Sequence, residues 1–334
     1  MEVEQQHKTS PDLLPAKNST TKFIRLAGIT LIATYALILV GSSVRASGAG
    51  MGCPDWPTCF GMLIPPISVT QLPPDYQQIY ANRGYADTAF NPAKTWIEFG
   101  NRMTSLIVGL LMLACLIYAL ISQRHNRPLL LLLVAMLGIT ALQSWIGSVV
   151  VASNLHPLII STHMVLALAI IAFLHSILQL ARPAARLPAQ RHELWLFACG
   201  MLLVIQTGLG LQVRETVDLL GRTMPYIRDS WIAELGTPFT LHMLCGLIVL
   251  NLFAHTQLRL WRDEKLRQQL GNWIIVWCAA LVANMLVGLA LWLLDLPAVL
   301  QPLHLLCASI QFGVIWHLLL YLLRAKAPAA YGNR

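Results

Sequence analysis

Three histidines and an asparagine recur at one spacing along this sequence. The stretch QSWIGSVVVASNLHPLIISTH, which ends at His163, aligns without gaps on NMLVGLALWLLDLPAVLQPLH, which ends at His304. The same offset along the chain places Asn101 on His242. Imidazole is a common ligand of metal ions and of haem iron, so repeated histidines are candidates for that chemistry.

An acidic and a basic residue flank the asparagine. Glu98 and Arg102 stand in WIEFGNR, at the start of an apolar run, whereas the second copy of the repeat has phenylalanine and methionine at these two positions. Ionisable groups at membrane depth are costly and therefore rare, so we interpret Glu98 and Arg102 as a place where chemistry has been added to one copy of the repeat. The alternative is an i,i+4 ion pair in which Glu98 and Arg102 neutralise each other.

These residues must be positioned by membrane-spanning helices. Of the 334 residues, 56% are hydrophobic and 11% are charged, which is more apolar surface than a soluble domain can hide. Runs of about 20 apolar residues are long enough to cross the hydrocarbon layer. We therefore predict an all-α membrane protein, whose eight transmembrane helices cover 24–44, 96–121, 129–151, 158–180, 194–213, 239–260, 272–294 and 298–323.

The repeat divides the helices into two sets of four. Both copies begin on the inner side of the membrane, so we predict two four-helix bundles related by a pseudo-twofold axis along the membrane normal. The expected organisation is a cytoplasmic tail (1–22), an N-terminal bundle with a long outer loop (23–182) and a C-terminal bundle (183–334). A shorter match supports the alignment, because GSSVR at the end of the first helix resembles GLQVR at the end of the fifth.

The four repeated positions lie at a common depth. Each falls in an even-numbered helix, roughly 6–9 Å below the outer boundary at 1.5 Å of rise per residue. Imidazoles that face each other at matched depth in a four-helix bundle can hold a haem by two axial ligands. We predict this role for His242 and His304; the alternative is a pair of hydrogen-bonded core histidines. A zinc or copper site would need a third or fourth ligand, and the sequence offers none nearby.

Three further histidines, His175, His255 and His317, lie near the inner ends of helices four, six and eight. A cation there would complement the helix dipole or meet the lipid headgroups. A second layer of haem is disfavoured, because 13 residues turn a helix by about 220° beyond whole turns and point the second imidazole away from the first.

Cys53 and Cys59 differ from the other five cysteines, which lie in apolar helices as small core residues. The two stand in GCPDWPTCFG, in an outer loop that faces an oxidising compartment. No histidine or further cysteine in that loop could complete a metal site. We predict a disulfide between them, either structural or redox-active.

Charge predicts the orientation of the chain. Most of the 23 lysine and arginine residues lie in the termini and in short loops, and such residues stay on the cytoplasmic side, so both termini should be cytoplasmic. The net charge of +8 thus reflects topology and gives no indication of nucleic acid binding. Glu2, Glu4 and Asp12 make the first 22 residues unlike a transit peptide, which favours a bacterial plasma membrane.

Several motifs together resemble the haem A synthase family. They are RASGAGMGCPDWPTCFG (45–61), WIEFGNR (96–102), LQVRETVD (211–218) and the histidines at the starts of helices four, six and eight. The resemblance extends from the first helix to the eighth. It implies an oxidoreductase with a bound haem b that converts the C8 methyl of haem O into the formyl group of haem A for cytochrome oxidase. It also implies contact with membrane lipid, haem O synthase and cytochrome oxidase assembly factors, and it is compatible with a homo-oligomer.

The resemblance implies a role for each candidate residue. The roles are axial ligation of haem b by His242 and His304, ligation of the substrate haem by His163, catalysis by Glu98, and an outer-loop disulfide between Cys53 and Cys59. The comparison of the two repeat copies, and not the resemblance, adds Asn101 and Arg102 as candidate cofactor-binding residues. This chain departs from the family pattern twice. The family commonly has histidine in place of Asn101, and many members have a second cysteine pair in the loop that corresponds to 214–237, where this chain has none.

Two other functions fit parts of the pattern. A b-type cytochrome for electron transfer would use both bundles as simple haem holders, but Glu98 and Arg102 stand in only one of them. A transporter would carry its ionisable residues near the membrane midplane, whereas here they cluster near the outer face.

Overall fold

Eight long helices make up most of the described chain. The computed structural model describes residues 13–182, 192–224 and 230–326. Within these ranges, eight helices are long and apolar enough to cross a membrane, which confirms the all-α class and the predicted number of spans. They are α1 (Leu13–Ala46), α2 (Pro92–Ser122), α3 (Arg127–Ala152), α4 (Pro157–Leu180), α5 (His192–Thr223), α6 (Gly236–Arg262), α7 (Glu264–Leu293) and α8 (Leu300–Lys326).

Capping residues in the sequence set several helix starts. The side chains of Asn91 and Asn126 accept hydrogen bonds from the first turns of α2 and α3, and each helix has a proline in its first two positions. Proline is favourable there because the N–H groups of the first turn have no partner inside the helix. Asp263 caps α7 in the same way and is the single residue between α6 and α7.

Three helices extend well beyond their apolar runs, by eight to eleven residues at one end. α1 begins at Leu13, so the described end of the predicted tail is helical. α5 continues to Thr223 instead of ending at 213, and α7 begins at Glu264 instead of 272. A hydrogen-bonded helix can continue into water, where its side chains need not be apolar, so hydropathy alone underestimates these lengths.

The helices pack in two groups of four. Each helix of α1–α4 contacts its neighbours in a closed ring, and α5–α8 form a second ring of the same kind. Phe23, Met112 and Leu133 are buried in the first group, and Phe253 and Trp277 in the second. α8 also contacts α1 and α4, so it carries much of the interface between the groups. The pseudo-twofold axis that would relate the groups remains a prediction.

The outer loop, residues 47–91, has a small aromatic core around Phe60. Four aromatic rings meet Phe60 edge to face, and such contacts favour one arrangement of the rings. The rings that meet Phe60, with centroids 5.2–6.3 Å away, are those of Tyr76, Tyr80, Tyr85 and Phe90. The Tyr85 hydroxyl donates to the carbonyl of Met51 at 2.7 Å. Burial and nearby acidic groups raise the pKa of Tyr85, so this donor keeps its proton.

Candidate functional site

Each of the four repeated positions lies against a glycine of the preceding long helix. A Cβ atom on any of these glycines would come within 3.1–3.4 Å of the facing side chain. The pairs are Asn101 with Gly41, His163 with Gly147, His242 with Gly210, and His304 with Gly288. The lack of a side chain on glycine therefore lets the histidine or asparagine lie directly against the neighbouring helix. This explains why a glycine occurs opposite each of the four repeated positions.

Each imidazole also lies beside the backbone of a residue one turn before that glycine. These pairs are His163 with Gln143, His242 with Gln206, and His304 with Asn284. The side-chain amides of Gln143 and Gln206 donate hydrogen bonds of 3.0 Å to the backbone carbonyls of His163 and His242, respectively. These amide residues were not predicted, although Gln143 aligns with Asn284 in the repeat.

The ring nitrogens of the three histidines are only partly engaged, since the Gln206 amide lies 3.4 Å from Nε2 of His242. Their Nδ1 atoms are buried and make no hydrogen bond of good geometry within the described residues. A histidine that binds a metal usually directs its second ring nitrogen at a carbonyl or a carboxylate, which fixes the ring and leaves the other nitrogen for the metal. The adjoining backbone of the preceding helix offers such a carbonyl to each ring.

The rings of His242 and His304 face each other within the second group of helices. Their centroids are 6.2 Å apart and their planes are inclined by 66°. Two imidazoles bound to opposite sides of one iron, with bonds of about 2 Å, would have centroids about 6 Å apart. The observed separation therefore suits axial ligation of a haem. No group of three or more His, Cys, Asp and Glu side chains that could hold a metal ion occurs in the described ranges.

Asn101 and His163 occupy the corresponding places in the first group. The Oδ1 atom of Asn101 is buried, and within the described chain it makes no hydrogen bond. An amide oxygen is a much weaker ligand of haem iron than an imidazole nitrogen. The first group therefore offers one strong and one weak ligand, whereas the second offers two strong ones.

Glu98 and Arg102 form the ion pair that was the alternative interpretation, and the pair has further partners. One carboxylate oxygen of Glu98 accepts from Arg102 at 2.6 Å, and the other accepts from the backbone N–H of Cys53 at 2.9 Å. Arg102 also donates to the carbonyls of Asp55 and Thr58, each at 2.8 Å. The Glu98 side chain is only 5% exposed. The pair therefore ties the outer loop to α2.

The segment held by this pair contains the predicted disulfide. Cys53 and Cys59 are bonded to each other and buried. The hydroxyl of Thr95 in α2 donates to the carbonyl of Gly52 at 2.8 Å. A Cβ on Gly52 would lie 2.4 Å from the carbonyl oxygen of Lys94, so glycine is needed for this close approach. Residues that the sequence presented as two motifs, the cysteine loop and WIEFGNR, thus form one unit.

His175 and His317 lie in a buried cluster between the two helix groups, so their predicted contact with headgroups is wrong. They are 0% and 1% exposed, and their Nδ1 atoms are 3.2 Å apart. The Tyr35 hydroxyl lies 3.1 Å from His175, the Gln179 amide lies 2.8 Å from His317, and the ring of Trp273 stacks on His317. The cluster joins α1, α4, α7 and α8.

Eight membrane spans and an imidazole pair spaced for one iron define a multi-pass membrane protein of a kind suited to holding haem between helices. A family model described as "Cytochrome oxidase assembly protein" matches residues 24–316, and the chain belongs to this family.

Curated relatives agree with this assignment. A Heme A synthase of Shewanella oneidensis is 31% identical over 158 residues, which are 47% of this chain and 45% of the relative. A Heme A synthase of Bartonella bacilliformis is 32% identical over 151 residues, 43% of this chain and 42% of the relative. A Heme A synthase of Bartonella quintana is 34% identical over 132 residues, which are 37% of this chain and 36% of the relative. The matched regions thus span less than half the length of these relatives.

Proposed function

We propose that the chain is a haem A synthase, an oxidoreductase that converts the C8 methyl of haem O into the formyl group of haem A with the help of a bound haem b. The carrying observation is the pair His242–His304, spaced for one iron, together with its altered counterpart in the first group of helices. Membership of the cytochrome oxidase assembly family and the name of the relatives support the same reaction.

The second group of helices would hold haem b through His242 and His304. When bound, haem b would supply one-electron transfer, so the four electrons that leave a methyl group on its oxidation to a formyl group could pass one at a time to an electron acceptor outside the chain. Gly210 and Gly288 let both imidazoles sit close to the helices, and the Gln206 side chain hydrogen-bonds to the carbonyl of His242.

The first group would bind the substrate, haem O. His163 would bind the substrate iron on one side, and Asn101 would leave the other side weakly ligated. Replacing a strong axial ligand by a weak one makes a bound haem easier to exchange, which suits a substrate that must enter and leave. The asymmetry between the two groups then separates a retained cofactor from a transient substrate.

Glu98 would stabilise positive charge or accept a proton at the methyl group that is oxidised, and Arg102 would hold the carboxylate in place. Both residues lie at the outer end of α2, within one turn of Asn101. Their hydrogen bonds to the disulfide segment make the loop part of the same site.

The proposed setting is a bacterial plasma membrane, with both termini in the cytoplasm. The expected partners are haem O synthase as the source of substrate and assembly factors of cytochrome oxidase as acceptors of the product. A homo-oligomer in the lipid bilayer fits this setting, and no nucleic acid is involved.

Haem analysis tests the proposal. Haems would be extracted from membranes with and without the chain, in cells that make haem O, and haems B, O and A would be separated by chromatography. We expect haem A only where the chain is present, and haem B bound to the purified protein. Haem B without haem A would instead indicate the rival function, a b-type cytochrome for electron transfer.

A further inference from the structure

Two arginines and one aspartate form an ion cluster where the outer ends of the two helix groups meet. Arg45 of α1 donates to both oxygens of Asp218 in α5, at 3.2 and 2.5 Å. Arg214 also donates to Asp218, at 3.1 Å. It reaches α4 as well, where it donates to the Ser161 hydroxyl at 3.0 Å and to the carbonyl of Pro157 at 3.4 Å.

The cluster lies one helical turn outward from the level of the candidate haem ligands. Arg214 follows Gly210 by four residues, and Gly210 is the glycine that lies against His242. Arg45 likewise follows Gly41 by four residues, in the matching motif of α1. Residues four apart share one face of a helix, and one turn rises about 5.4 Å. Both guanidinium groups therefore stand above the ligand level on the faces that carry these glycines.

The charges in this cluster do not balance. Two guanidinium groups share one carboxylate, and the adjacent Glu215 is exposed. Arg214 is only 8% exposed, and its Nε atom makes no hydrogen bond within the described parts of the chain. A buried charged group with an unsatisfied donor is costly, so a further acceptor at Arg214 would be stabilising. A carboxylate is the acceptor that best matches a guanidinium group.

We propose that Arg214, supported by Arg45 and Asp218, binds a propionate carboxylate of the haem held between His242 and His304. This inference rests on the proposed function, because it requires a haem at that pair. Arg214 stands one helical turn outward from the level of His242, so its guanidinium group would be placed to bind a propionate of a haem held at that level. The contacts of Arg214 with α4, and of Arg45 with α5, would then couple haem binding to the joint between the two helix groups.

The test compares two probes on the full-length protein, haem b and its dimethyl ester, in which both carboxylates are blocked. Equilibrium binding of each would be followed by the reduced absorption spectrum in wild type, Arg214→Gln, Arg214→Lys and Arg83→Gln. Arg83 is a control arginine on the same side of the membrane, where it donates to the carbonyl of Ala152. We expect wild type and Arg83→Gln to prefer haem b by about tenfold or more, the effect of one charged hydrogen bond. Arg214→Gln should lose this preference, and Arg214→Lys should keep part of it.

The outcomes distinguish this inference from the proposed function. A wild-type protein that binds both probes equally would keep the haem assignment and overturn the role of Arg214. Equal weakening of both probes in Arg214→Gln would also overturn it, because a purely structural arginine does not distinguish a carboxylate from an ester. If Arg214→Gln does not fold, the wild-type preference and its change in Arg214→Lys decide the matter. A wild-type protein that binds neither probe would overturn the haem assignment and this inference together.

Discussion

At the scale of the residue, a histidine inside a bundle of membrane helices must find partners for two ring nitrogens without water. This need determines which groups surround each histidine of the site. Each of the three candidate ligands places its ring beside the backbone of a neighbouring helix, with Nδ1 unpaired within the described residues, and the Gln206 amide lies 3.4 Å from Nε2 of His242. His175 and His317 solve the same problem differently, because they bond to each other, to a tyrosine and to an amide. The same side chain is thus available for ligation in one place and fully engaged in another.

Loss of one imidazole should remove the haem b signal. We expect His242→Ala or His304→Ala to abolish the sharp reduced α-band of a low-spin haem, because a strong axial field needs both nitrogens. His125→Ala, at an exposed site between α2 and α3, is the control and should keep the band. Optical spectra of purified protein provide the measurement. A wild-type band in both ligand variants would show that the axial assignment is wrong.

Glu98 allows a second test at this scale, because its charge and its role in holding the loop can be separated. Glu98→Gln keeps the shape but removes the charge, so haem A formation should fall tenfold or more while the haem b band stays intact. Thr95→Val removes the neighbouring hydrogen bond to Gly52 without changing any charge. Haem A content of membranes is the measurement. Equal losses in the two variants would mean that Glu98 acts only by anchoring the loop.

At the scale of the element, glycines of the odd-numbered helices decide how close a ligand can come. Gly210, for example, leaves 3.2 Å between its missing Cβ and the His242 ring. We expect Gly210→Val to displace that ring and to weaken or remove the haem b band, although no ligand is changed. Gly208→Val on the same helix is the matched control, since nothing lies within 4 Å of a Cβ there. Identical spectra for the two variants would contradict the role of Gly210.

At the scale of the whole molecule, the two helix groups meet over polar as well as apolar contacts. At one end of the helices, the cluster of Tyr35, His175, Gln179, Trp273 and His317 crosses the interface, and Gly313 of α8 packs against it. At the opposite end, the arginine and aspartate cluster does the same. Between them, α8 holds the groups together through its contacts with α1 and α4.

Gly313 provides a test of this interface. A Cβ there would lie 2.0 Å from the Tyr35 hydroxyl and 2.5 Å from His175. Gly313→Ala should therefore cost about 1–3 kcal/mol of unfolding free energy, as overpacking of a filled core does. Gly138→Ala, with nothing within 4 Å, should be neutral or slightly stabilising, because alanine favours a helix more than glycine does. Thermal unfolding in detergent would show the difference, and equal midpoints would mean that the interface can relax around the new methyl group.

The sequence by itself determined the eight helices, their class and the four repeated positions. Hydrophobic runs must cross a layer of fixed thickness, and a duplicated segment carries its ligands and glycines with it, so these features are local or periodic. The tertiary structure alone decided that Glu98 binds the backbone of Cys53, that His175 meets His317, and that Arg45 shares Asp218 with Arg214. These partners are far apart in the chain and have no common period. They are brought together only when the loop folds onto α2 and the two helix groups pack, because buried polar groups must then find partners across the new interfaces.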